Sequence, residues 1–243
     1  MKMNFLNTKI DNVTMEESLR IIDDFIHDGK YHYVVTPNVD HIVKLEEDNE
    51  FKLVYENADL ILTDGMPLIW ISKLKKKPIK EKVSGSDLFP NICKLAAEKG
   101  YKVFLLGAAE GVAKNAASKL MERYKGLKIV GTYSPKYGFE KSVDEIKRII
   151  SIVNEAKPDI LAVGLGAPKQ EKFIYTYENQ LKVPVSLAIG AAIDFEAGNM
   201  KRSPRWMQKS GLEWFYRLMK EPKRMFKRYI IDDMKIIKIL AKY

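Results

Sequence analysis

The 243-residue sequence has little cysteine: Cys93 stands alone. No disulfide can close within the chain and no cluster of thiolates can hold a metal, which fits a reducing, cytoplasmic setting. Histidine is nearly as scarce, and His27, His32 and His41 show no zinc-protease spacing. No apolar run reaches the roughly 18 residues that a membrane-crossing helix needs. The opening "MKMNFLNTKIDN" has no long apolar stretch, so no secretory signal is expected. There is no G-x-x-x-x-G-K-[ST] loop, which excludes a Walker-type NTPase, and no G-x-S-x-G, which leaves a hydrolase elbow unsupported. Asp-x-Asp is also missing, which argues against a divalent cation shared between such carboxylates and a nucleotide-sugar diphosphate.

What is present describes a folded chain, with 46% hydrophobic and 30% charged residues. It is long enough for one sizeable α/β core, or for such a core plus an appendage. The net charge of +9 is unevenly placed: residues 199–243 hold 13 Lys and Arg against 4 Asp and Glu, so residues 1–198 carry 28 of each sign. The whole excess lies in the tail and points to an anionic partner there.

Six apolar runs recur along the body: "YHYVV" (31–35), "DLILT" (59–63), "YKVFLL" (101–106), "LKIVG" (127–131), "DILAVGLG" (159–166) and "VPVSLAIG" (183–190). Each gives way to small or polar residues and then to a helix-like stretch with apolar residues at three- and four-residue spacing. Short strands alternating with helices predict an α/β fold, a mostly parallel Rossmann-like sheet with helices on both faces. Ser86 is expected to open the helix of "DLFPNICKLAAEKG", with Pro90 in its first turn. The tail predicts two or three helices, broken near Gly211 and Pro222. Trp214, Phe215, Leu218, Met225, Phe226 and Tyr229 give it an apolar side, and Arg217, Lys220, Arg224, Lys227 and Arg228 give it positive charge. Such a basic, aromatic amphipathic segment suits anionic membrane headgroups, and packing on the body or on a neighbouring subunit is the plainer alternative.

In open parallel sheets, ligands bind beyond the carboxyl ends of the strands. The residues at those places are Thr36, Asn38 and Asp40; Asp64 and Gly65; Gly107; Gly164, Gly166, Lys169, Gln170 and Glu171; and Gly190 with Asp194. Asp64-Gly65 also reads as a simple turn dipeptide. "LLGAAEGVA" (105–113) resembles a phosphate-binding turn with Ala109 in place of the second glycine, so a dinucleotide site is weakly supported against a plain strand-to-helix connection. In "GLGAPKQEKF", Gly164 and Gly166 permit close backbone approach to a ligand, and Pro168 suits a first helical turn. Helix-terminal amides there could receive phosphate oxygens, with Lys169 or Gln170 adding donors; for Lys169 and Glu171 a solvated helix surface is the favoured reading. His41 follows the first cluster and fits a site donor or a structural role.

Taken together, "VVTPNVDHIV", "LTDGMP", "SGSDLF", "VGLGAPKQE", "GAAIDFEAG" and "RSPRWMQKSGLEWFYRLMKEPKRMFKRY" resemble the TagA/WecG type of bacterial glycosyltransferase, family 26, over about residues 30–230. The resemblance implies inverting, metal-independent transfer of an N-acetylmannosamine-type sugar from a UDP donor to polyprenyl-diphosphate-linked N-acetylglucosamine, at the inner face of the cell membrane. Relatives also use the uronic acid or other hexoses, and no residue here chooses among them. No cofactor and no metal ligand is implied. Carried onto this chain, Asp64 matches the general base and Thr36 a hydroxyl beside it. Asn38, Gln170 and Asp194 match positions lining the site, and Arg217, Arg224 and Arg228 match tail arginines that complete it over the diphosphate. Gly65, Gly107, Gly164 and Gly166 are taken as backbone approaches to substrate. Lys82 stands where the family has Arg, keeping the charge but losing the planar fork. The division implied is 1–198 as catalytic domain and 199–243 as a membrane-docking appendage. A nucleic-acid-binding module and an NAD-dependent oxidoreductase are the competing readings; a neutral body with clustered motifs disfavours the first most, and Ala109 at the second glycine position weakens the other.

Overall fold

All six apolar runs become strands, and they lie in one parallel sheet. After an N-terminal hairpin, β1 (Lys2–Phe5) and β2 (Thr8–Asp11), come β3 (His32–Val35), β4 (Leu60–Ile61), β5 (Lys102–Gly107), β6 (Lys128–Tyr133), β7 (Ile160–Gly164) and β8 (Val185–Ala188). The computed structural model describes residues 2–243, apart from the side chains of Arg205, Lys209, Arg224, Arg228, Ile230 and Ile231. The sheet order is β4-β3-β8-β7-β5-β6, with every neighbouring pair parallel.

Alternation along the strands builds two cores, because successive side chains point to opposite faces. Val35, Phe104, Leu106, Leu161 and Val163 enter one cluster, while Val34, Val103, Leu105, Ile160 and Ala162 enter the other. The first face is covered by α2 (Val39–Glu47), α3 (Asn49–Asn57), α7 (Val143–Ala156) and α8 (Lys169–Leu181). The second is covered by α1 (Met15–His27), α5 (Gly85–Lys99), α6 (Val112–Arg123) and α9 (Ala192–Ala197). Between β4 and α5 runs α4 (Met66–Leu74).

The antiparallel hairpin has no counterpart among the six runs, and it guards an edge. β4 is the outer strand, and its Ile61 N–H donates to Asp11 Oδ2 of β2 at 2.9 Å, so a side chain supplies the acceptor that a further strand would have given. Helix α5 also departs from expectation. Ser84, not Ser86, caps it by accepting the Asp87 N–H at 3.2 Å, and Pro90 lies inside the helix. A proline there has no N–H for the Ser86 carbonyl. Arg202 from the tail donates to that carbonyl through Nη1 at 3.3 Å, so the break in α5 is closed by a distant guanidinium.

The tail contains α10 (Arg205–Lys209), α11 (Glu213–Lys220), α12 (Pro222–Phe226) and α13 (Ile236–Lys242), with the breaks near Gly211 and Pro222 as expected. It is anchored to the body: Ile239 joins the first core, Lys235 pairs with Glu47 at 2.7 Å, and Lys75 Nζ donates to the Leu240 carbonyl at 2.8 Å. Among the described residues no helix is long and apolar enough to cross a membrane.

Candidate active site

Strand order explains which rim residues meet. β4, β3, β8 and β7 are consecutive in the sheet, so the segments after them open on one cleft of about 810 Å³. Thr36, Asn38, Asp64, Gly166, Gln170 and Asp194 all line it, joined by Arg217 from α11. Gly107 falls outside this set because β5 lies one strand further on. A Cβ on Gly107 would stand 2.3 Å from the Gly164 carbonyl oxygen, and one on Gly164 would stand 2.7 Å from the Gly190 carbonyl oxygen. Both glycines pack closely at strand ends, and neither lines this cleft.

The local sequence fixes the acid. Asp64 follows the buried run of β4, and its N–H donates to the Pro37 carbonyl at 2.8 Å, lacing the loops after β3 and β4 together. Gly65 has φ +97° and precedes α4, so the chain turns here through a region that disfavours any side chain. Thr36 is buried and donates through Oγ1 to the Ala188 carbonyl at 3.4 Å, between β3 and β8.

A second cavity of about 440 Å³ adjoins the cleft, walled by Met66, Pro67, Trp70, Trp214, Met234 and Ile236. Asn38, Asp64 and Arg217 line both spaces and therefore stand at their junction. Gly65 and Lys82 face the apolar one. Burial pushes the Asp64 carboxyl above its ordinary range, with Glu213 and Asp87 adding to the rise and Arg217 and Lys82 opposing it. Burial also presses on the Arg217 charge, but Glu213 and Asp64 outweigh it and raise the guanidinium further; Arg217 Nη2 and Glu213 Oε1 are 3.0 Å apart. Burial raises Asp194 as well.

Lys82 is tied down, its Nζ 2.9 Å from Asp87 Oδ2, while Arg202 Nη2 holds the other oxygen at 2.8 Å. Burial alone would raise Asp87; Lys82, the Ser84 hydroxyl and Arg202 reverse that and hold it low. Arg224 and Arg228 have side chains outside the described residues. Lys169 is the surface residue expected, paired with Glu140 at 2.6 Å.

Glu171 is not. It is 1% exposed, with Oε1 accepting from Gln170 Nε2 at 2.7 Å and 3.3 Å from His41 Nε2. The reason is present in the sequence: Phe173, Ile174 and Leu181 define the buried stripe of α8, and 170 and 171 precede it by three residues each. Arg202 and Trp70 escape the strand-end rule, since neither lies near a strand end.

The geometry therefore offers an acid with a raised pKa, a half-buried cation, amide side chains and an apolar space beside them. Residues 3–243 match the model of the "Glycosyl transferase WecG/TagA/CpsF family". The chain belongs to this family. Similar curated proteins include one from Bacillus subtilis strain 168, at 34% identity over 73% of this chain and 67% of that protein. Others come from Bacillus spizizenii, at 31% over 82% and 76%, and from Staphylococcus aureus strain MW2, at 29% over 92% and 87%. All three are named N-acetylglucosaminyldiphosphoundecaprenol N-acetyl-beta-D-mannosaminyltransferase.

Proposed function

We propose that this chain transfers N-acetylmannosamine from UDP-N-acetylmannosamine to the 4-hydroxyl of N-acetylglucosaminyl-diphospho-undecaprenol, with inversion at the anomeric carbon. The observation that carries the reading is the position of Asp64 and Arg217 at the junction of a polar cleft and an apolar cavity. The names of the relatives supply the sugar and the lipid.

Asp64 takes the proton of the acceptor hydroxyl as that oxygen bonds to the anomeric carbon. The bond from that carbon to the donor's diphosphate oxygen breaks, and UDP leaves with the electron pair. A carboxylate raised by burial is a better proton acceptor than a solvated one. Arg217 answers the charge that develops on the leaving diphosphate, joined by Arg224 and Arg228 of the tail and by amides at the start of α8. Thr36, Asn38, Gln170 and Asp194 position the sugars and the nucleotide; Gly65 and Gly166 leave room for them, and Lys82 adds positive charge at the edge. The first isoprene units of the acceptor lie in the apolar cavity. In this reading residues 1–198 carry the chemistry, and residues 199–243 dock on the anionic inner face of the membrane, where the acceptor resides.

The test is transfer to lipid-linked N-acetylglucosamine, with UDP-N-acetylmannosamine against other UDP-hexoses and the uronic acid. Asp64→Asn is expected to lower turnover by about two to four orders of magnitude. Turnover by that variant near the rate of the unaltered chain removes Asp64 as the base, and preference for another donor replaces the sugar.

A further inference from the structure

We infer that Glu171 is a positioning residue for the cleft, acting through His41 and Gln170 on the Asn38 side chain and the Gly190 backbone. This rests on the transfer reaction proposed above. Glu171 lies on α8, turned away from solvent, and touches no reacting group. Its Oε1 accepts from Gln170 Nε2 at 2.7 Å, and the other end of the same amide, Oε1, accepts the Gly190 N–H at 3.1 Å. Gln170 thus clips α8 to the loop after β8, and the carboxylate decides which end of the amide points where. On its other side Glu171 Oε1 is 3.3 Å from His41 Nε2, and His41 Nδ1 is 2.8 Å from Asn38 Oδ1. The His41 backbone N–H donates to Asn38 Oδ1 at 3.4 Å, and the Asn38 backbone nitrogen lies at the same distance from His41 Nδ1. The ring is held against Phe51 and Tyr55, with centroids 5.9 and 6.3 Å away, so its orientation is set by packing and by Glu171 together. The Asn38 side chain held in this way lines both the cleft and the cavity.

Stability does not account for a carboxylate here. Among the described residues Glu171 Oε2 has no hydrogen-bond partner, and neither has the buried Tyr55 hydroxyl nearby. A buried, half-satisfied carboxylate costs more than an apolar side chain of similar volume would. What the charge supplies is direction: hydrogen bonds to an ionised acceptor are stronger than neutral ones and resist rotation of the donor.

The test is a double-mutant cycle of Glu171→Gln and Asn38→Ala, read as kcat/KM for transfer together with Tm. Glu171→Gln keeps the shape and loses the charge. Each single variant is expected to lower kcat/KM about 10–100-fold, with the double variant no worse than the poorer single, as for residues in one network. Tm of Glu171→Gln is expected to stay within about 2 °C, because the charge lost was half-satisfied. Losses that multiply, or Glu171→Gln within about twofold of the unaltered chain, overturn the inference. If Glu171→Gln does not fold, Glu171→Asp, which keeps the charge but shortens the reach, enters the same cycle, and the same two outcomes overturn the inference. Orientation is also read without substrate. The side-chain amide NMR cross-peaks of Asn38, assigned by their loss in Asn38→Ala, are expected to move in the Glu171 variant and to stay in Asp59→Asn, at the far end of the sheet. Unmoved peaks overturn the inference. An unaltered chain that transfers no sugar defeats the proposed reaction instead, and leaves the cross-peaks to decide the role of Glu171.

Discussion

Each end of β3 leads to a histidine among carboxylates, and the two ends do different work. At the start of the strand, buried His32 has Nε2 2.9 Å from Asp28 Oδ2 and Nδ1 3.0 Å from Asp59 Oδ1, with its ring stacked on Phe25. Asp59 Oδ2 accepts the Tyr33 N–H at 3.0 Å, so this cluster finishes the strand's own hydrogen bonding. Beyond the other end, His41 lines the cleft with Thr36, Asn38 and Asp64, and Glu171 stands behind it. None of Asp28, His32 and Asp59 lines the cleft or the apolar cavity. Residue type alone does not separate the two rims. The carboxyl ends of the strands splay into loops with room between them, and α11 brings a half-buried arginine there.

Two substitutions sharpen the contrast most. Asp64→Asn removes about two to four orders of magnitude of turnover with little change in Tm, since its side chain is a base and not a cap. Asp59→Asn does the reverse: kcat stays within about twofold, while stability falls by about 1–3 kcal/mol as the Tyr33 N–H keeps only a weaker acceptor. Equal loss of turnover in both variants breaks the comparison. Arg217→Gln has an intermediate effect, visible in the pH profile. The base works ionised, so the rate falls as pH drops through its pKa, and the guanidinium opposes the rise caused by burial. Without it the Asp64 pKa climbs, and the acid limb of kcat moves to higher pH by about one pH unit or more. A limb that stays in place, or moves down, separates Arg217 from the base.

The sheet is legible in the sequence because hydrophobic alternation is a local property: six runs, six strands, all parallel. The clustering of Thr36, Asn38, Asp64, Gln170 and Asp194 follows from one rule about strand ends. What that rule lacks is strand order, so it groups Gly107 with residues from which β5 separates it. The cap of α5 lies two residues from its expected place because either serine of "SGSD" can cap, and only Arg202, 112 positions after Pro90, shows how the proline is accommodated. Glu171 is hidden by a default about charge: a glutamate near a helix start is usually solvated, and here the apolar spacing of α8 outweighs that preference.

The smallest effect concerns the amino-end rim alone. Burial, reinforced by Asp59 and opposed by His32, lifts the Glu178 carboxyl from 4.5 to about 7. A folded-state pKa above the unfolded one means that the folded chain keeps a proton which the unfolded chain has released, so stability declines as pH rises from about 4.5 to about 7 and stays reduced above that. Glu178→Gln keeps the neutral shape at every pH. At pH 8 it is expected to gain about 1 kcal/mol after allowance for the partial exposure of this side chain, or about 2–4 °C in Tm for a chain of this size. At pH 4 the gain disappears, because both chains then carry a neutral group. Turnover stays unchanged throughout, since Glu178 faces the rim that does no chemistry. A gain of the same size at both pH values assigns the effect to packing instead of charge, and a change in kcat joins the two rims that the geometry keeps apart.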